Sequence, residues 1–120
     1  MKHFAIDEFA CGCGCKAYTE RMNLDFLSQL DLARDKSNDT SFIITSGYRC
    51  PDWNAKVGGK SASSHVIGRA ADISVVSSVQ RYWILKALFD AEFKRIGIGP
   101  NFIHADSDLN LSSPVVWTYY

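Results

Sequence analysis

The chain has 120 residues, 47% of them hydrophobic, and its 13 Lys and Arg are balanced by 13 Asp and Glu. That length and apolar content predict one domain, residues 1–120, whose core needs no metal or disulfide to hold it together. Zero net charge, with no Lys/Arg run, excludes a long-range field that would recruit nucleic acid or an anionic membrane, so neither is an expected partner.

The opening stretch "MKHFAIDEFACGCGCK" has no apolar centre of signal-peptide length, and no apolar run in the chain approaches membrane-spanning length. Synthesis in the cytoplasm is therefore expected. Cys11, Cys13 and Cys15 lie too close together for a conventional disulfide framework, which makes reduced thiols the expectation. Their alternate spacing leaves two readings open. They can set thiolates on one side of an extended loop, completed by Cys50 into a structural zinc site, or stand as free thiols in a turn made by Gly12 and Gly14.

"NLDFLSQLDLARDK" predicts a helix with Asn23 as N-cap and an apolar stripe of Phe26, Leu27, Leu30 and Ala33. "SFIITSG" predicts a strand ended by Gly47, and a short helix is expected from Pro51 to the Gly58-Gly59 pair. Residues 70–76 read as a second strand. "VQRYWILKALFDAEFKR" reads as a helix with Ile84, Leu85, Leu88 and Phe89 on one face. Gly97, Gly99 and Pro100 predict a bend before a strand in "NFIHADS", and "SSPVVWTYY" predicts a closing edge strand. Trp53, Trp83 and Trp117 read as core or rim aromatics rather than sugar-stacking platforms. Helices and strands without a regular βαβ period predict an α+β fold, a small, mainly antiparallel sheet backed by helices.

The chemistry concentrates in "SSHVIGRAADIS", residues 63–74. Were it helical, His65 and Asp72 would be separated by about 10.5 Å of rise, whereas zinc needs ligand atoms at about 2.0–2.2 Å. A helix is excluded for a shared ion. Gly68 instead permits a sharp change of direction, letting His65 fold back from a loop beside a strand that bears Asp72. On that strand Ala70, Asp72 and Ser74 share one face, while Ala71, Ile73 and Val75 share the core face. Catalytic zinc takes three protein ligands and keeps a fourth position for water. Of the two other histidines, His3 lies near the N-terminus, whereas His104 lies in a strand with Phe102 and Asp106 on its own face, so His104 is the third candidate ligand.

Ser63-x-His65-x-x-Gly68-x-Ala70-x-Asp72 resembles the S-x-H-x-x-G-x-A-x-D motif of the zinc D-Ala-D-Ala carboxypeptidases and related peptidoglycan peptidases, whose fold is shared with the hedgehog signalling domain. "ITSGYRCPDWNAKVGGKSASSH" is similar to the segment before that motif in phage-associated and bacterial members. "RIGIGPNFIHADS" is similar to their later G-I-G…F-[IV]-H-x-D segment, and "FACGCGCK" to their Cys-rich start. The likeness spans nearly the whole chain.

The resemblance implies a hedgehog/DD-peptidase-like fold, a zinc ion held by His65, Asp72 and His104, and a peptidoglycan peptide as substrate. It implies that Arg49 steers substrate or stabilises the developing oxyanion, and that Ser63 lies near the substrate end. In several relatives the general base is an acid three positions before the final histidine, where this chain has Asn101. Asp106 is the expected replacement, because two residues along a strand restore the face of His104. The activity expected is metallopeptidase hydrolysis of amide bonds involving D-amino acids, as a D,D-carboxypeptidase or an endolysin-type endopeptidase. The departure at Asn101 motivates an alternative, a non-catalytic zinc-containing binding module of the same fold. A monomer is expected, released to the cell wall by phage or prophage lysis.

Overall fold

The computed structural model describes residues 1–120. A 3-10 turn over Ile6–Phe9 and a single helical turn, α1 (Tyr18–Arg21), precede helix α2 (Leu24–Asp35). Neither of the first two carries enough apolar periodicity to be read from sequence. Helix α2 begins where Asn23 accepts the Phe26 N–H through its side chain, at 2.9 Å, and buries Phe26, Leu27, Leu30 and Ala33, as its spacing predicts.

Strand β1 is only Ile44–Ser46. Phe42 turns into the core before it, while Ile43 is exposed. Helix α3 (Pro51–Lys56) starts on its proline, with the Cys50 sulfur accepting the Trp53 N–H. Strand β2 (Ala70–Ser74) follows, then helix α4 (Ser78–Asp90), capped by Ser77.

Two sequence expectations need correction here. The α4 pattern overruns the helix, because Glu92 adopts a left-handed φ of 69° and the chain reverses. The Phe93 N–H bonds to Leu88 O and the Glu92 N–H to Phe89 O, both at 3.0 Å. This is a Schellman termination with glutamate where glycine is usual, so the sequence carries no stop signal. The buried stripe is Ile84, Ala87, Leu88 and Ala91, leaving Phe89 exposed. Gly97 does not bend the chain either; it lies inside strand β3 (Arg95–Ile98), and the turn falls at Gly99-Pro100, before strand β4 (Phe102–Asp106).

Strand β5 (Val115–Thr118) closes the sheet as an edge strand, in the order β1-β2-β4-β3-β5. Every pairing is antiparallel except β3 with β5, so the α+β class and the mainly antiparallel sheet both hold. Period-two alternation divides the sheet's labour. Ala71, Ile73, Ile96, Ile103 and Ala105 pack with the stripes of α2 and α4 in one core, which leaves Asp72, His104 and Asp106 on the opposite face.

Candidate metal centre

Register does most of the positioning. Asp72 of β2 stands opposite His104 of β4, and His104 stands opposite Gly97 of β3. Gly97 in turn pairs with Trp117 of β5. Directly opposed residues share a face and lie within side-chain reach. One row across the sheet therefore reads Asp72, His104, Gly97, Trp117. The missing side chain at Gly97 is filled by aromatic rings: a Cβ there would lie 2.6 Å from Tyr119 and 2.7 Å from Trp117. The Trp117 ring in turn packs 5.6 Å from the His104 ring, centroid to centroid.

His65 comes from the loop before β2. Gly68 adopts a φ of 72°, and a Cβ on it would lie 1.9 Å from the Arg21 carbonyl oxygen, so only glycine lets this loop turn while pressed against the end of α1. The Ser63 hydroxyl accepts the His65 N–H at 3.2 Å. The buried His65 ring places Nδ1 2.7 Å from Gly47 O. A carbonyl can only accept, so Nδ1 carries a proton, and Nε2 lies 3.4 Å from Asp72 Oδ1. His104 is arranged in mirror fashion: its Nε2 lies 2.7 Å from Asp106 Oδ2 and its Nδ1 lies 2.9 Å from Asp72 Oδ1.

His65, Asp72 and His104 thus offer one ligand atom each, all within 4.8 Å of one another. The edge of a tetrahedron with zinc–nitrogen arms is about 3.3 Å, from bond lengths of about 2.0–2.1 Å, and the 2.9 and 3.4 Å separations to Asp72 bracket it. The donor set, two imidazoles and a carboxylate, fits a borderline divalent ion, and each histidine has an outer partner fixing its tautomer.

The same contacts set the electrostatics of the site. Burial pushes the Asp72 carboxyl up, but hydrogen bonds from His104 and His65 outweigh it and hold the group well below the ordinary carboxylate range. Burial disfavours a charged His104, yet Asp106 and Asp72 together raise its pKa. For Asp106, burial again opposes ionisation, while the bond from His104 brings the net shift down. Two carboxylates flank one imidazole on its two nitrogens.

Asp106 lies on the face of His104, as strand period predicts. It is 1% exposed. One oxygen meets His104 Nε2, and the other accepts from Arg95 Nε at 2.7 Å and from the Asp108 N–H at 3.1 Å. It faces the edge of the imidazole away from Asp72. Its geometry is that of a group orienting His104, and a base role would require it to leave three partners.

Arg49 is held in the site. Its Nε donates to Ser46 Oγ at 3.2 Å and its Nη1 to Asn54 Oδ1 at 3.3 Å, while Nη2 lies 3.6 Å from Asp72 Oδ2. Asn54 is buried in α3 and anchored by donation to Lys60 O. Ser63 lines the same cleft, but its hydroxyl is engaged with the His65 backbone. A cavity of about 660 Å³ opens over the three candidate ligands, with Arg49, Arg95 and Trp117 in its walls.

Sequence reasoning missed Arg95, Asn54 and the Gly47 carbonyl. Arg95 pairs with Asp106 and stacks over Trp117, 5.0 Å from the ring centroid. The only available signal was its register opposite Asp106, which strand prediction alone does not supply. His3, set aside as a ligand, bonds Asp35 instead, Nε2 to Oδ1 at 2.6 Å.

Comparison with known families gives a match to the model described as Peptidase M15, over residues 2–106. Comparison with curated proteins returns no match. The family match covers His65 and His104, Asp72, Arg49 and Arg95, and ends before β5 with its Trp117.

Proposed function

The chain belongs to the peptidase M15 family, whose members are metal-dependent peptidases, and from that premise we propose that it is a zinc peptidase acting on amide bonds that involve D-amino acids in peptidoglycan stem peptides. A D,D-carboxypeptidase and an endolysin-type endopeptidase of phage or prophage origin both fall within this reading. The observation that carries it is the convergence of His65 Nε2, a carboxylate oxygen of Asp72 and His104 Nδ1 beneath an open cleft walled by Arg49.

Zinc, when bound, would polarise the scissile carbonyl and lower the pKa of water towards about 7. The chain's own residues supply the rest. With zinc bound, Gly47 O and Asp106 would accept the protons on the outer nitrogens of the two imidazoles, leaving the inward nitrogens to the metal. Arg49, braced by Ser46 and Asn54, presents a guanidinium fixed before substrate arrives, suited to clamp a substrate carboxylate or to meet negative charge developing on the carbonyl oxygen. Asp106 acts here as a positioning residue, and Ser63 orders the loop that delivers His65. The Trp117 ring packs beside His104 in the wall of the cleft.

Two observations favour a second reading, a zinc-containing binding module. Asn101 replaces the acid of several relatives, and both oxygens of Asp106 are engaged. Incubation of purified peptidoglycan with the protein separates the two readings. New amino termini or free D-alanine, abolished by chelator, are the expected products. Retention on peptidoglycan with no product from the zinc-loaded protein would favour the module.

A further inference from the structure

A second cluster lies away from the cleft. The sulfurs of Cys11, Cys13, Cys15 and Cys50 all lie within 4.8 Å of one another, with Cys11 to Cys13 at 3.4 Å and Cys13 to Cys50 at 3.6 Å. None is in a disulfide. Four zinc–thiolate bonds of about 2.3 Å in a tetrahedron put neighbouring sulfurs about 3.8 Å apart. The four sulfurs are gathered around one point rather than sorted into two bonded pairs.

The backbone is arranged for sulfur that carries negative charge. The Cys15 N–H points at Cys13 Sγ, the Cys50 N–H at Cys11 Sγ and the Trp53 N–H at Cys50 Sγ, each at 3.4 Å. Such amide donors stabilise ligating thiolates from outside the coordination sphere. Four soft sulfur donors at tetrahedral spacing select zinc or iron over the hard cations.

We propose that Cys11, Cys13, Cys15 and Cys50 form a second, structural zinc site that fastens the N-terminal segment to the loop carrying Arg49. The attachment is consequential because Cys50 directly follows Arg49 and caps α3, the helix whose Asn54 braces the Arg49 guanidinium. Backbone contact already begins this docking, with the Tyr48 N–H bonded to Phe9 O at 2.9 Å. A metal would complete it with four bonds to cysteines of which only Cys11 is buried.

The test compares full-length wild type, Cys13→Ser and His65→Ala, purified under reducing conditions, by metal analysis and by absorption after cobalt loading. Wild type should hold two zinc ions per chain and each variant one. The intense thiolate-to-cobalt charge-transfer absorption should persist in His65→Ala and vanish in Cys13→Ser. Thermal midpoints should fall on loss of the thiolate metal. Wild-type protein without the thiolate–cobalt band, iron instead of zinc at the thiolates, or a mass showing disulfides among the four would overturn the proposal. The wild-type spectrum decides the matter even if a variant fails to fold. A thiolate band in wild type with metal content unchanged by His65→Ala would support this site and count against the catalytic one.

Discussion

Asp72 and Asp106 are both buried aspartates beside His104, yet their neighbours assign them different work. Asp72 turns Oδ1 toward both imidazoles, while Asp106 spends its oxygens on His104 Nε2, Arg95 and a backbone N–H. If Asp106 positions His104, Asp106→Asn should weaken zinc binding about 10–100-fold, the cost usual for an outer partner of a ligand histidine. Zinc titration of the folded variant checks this; unchanged affinity with a collapsed kcat would restore the base role. Arg49→Ala should lower kcat/KM by about 10²–10³, the scale of a lost oxyanion donor, with zinc content intact. Loss of metal along with activity would show that Arg49 serves the centre's structure instead. The candidate ligands could be brought together from the sequence because each sits in a short motif with its spacing set by glycine or by strand period. Arg95, Asn54 and the Gly47 carbonyl could not, since each meets its partner through register or through a loop's path.

At the scale of elements, helix α2 and the strands around Asp72 and His104 follow from cap and periodicity, whereas the end of α4 does not. The stop there rests on Glu92 in a left-handed conformation, a choice tertiary packing of Phe93 can favour but composition does not announce. Gly97 misled for a related reason. Glycine in a strand signals either a bend or a close approach, and here the rings of Trp117 and Tyr119 occupy the space. Gly97→Ala should therefore push β5 from β3 and destabilise the fold by about 1–3 kcal/mol, the usual cost of overpacking. Urea unfolding followed by tryptophan fluorescence checks it; an unshifted midpoint would mean the rings move aside freely.

Across the whole molecule, one sheet separates stability from chemistry. Ile73 is fully buried against the helices, and its neighbour Asp72 points to the cleft. Ile73→Ala should cost about 2–5 kcal/mol of folding stability yet leave zinc affinity per folded molecule unchanged, as equilibrium unfolding paired with zinc titration would show. A parallel fall in both would mean the two faces are coupled. The measurement closest to the central claim is zinc rescue of chelator-stripped protein, following amino termini freed from purified peptidoglycan. Wild type should regain hydrolysis as zinc is restored, and His65→Ala should stay inert at every zinc concentration while remaining folded. Equal hydrolysis by folded His65→Ala, or by wild type still stripped of metal, would contradict the account.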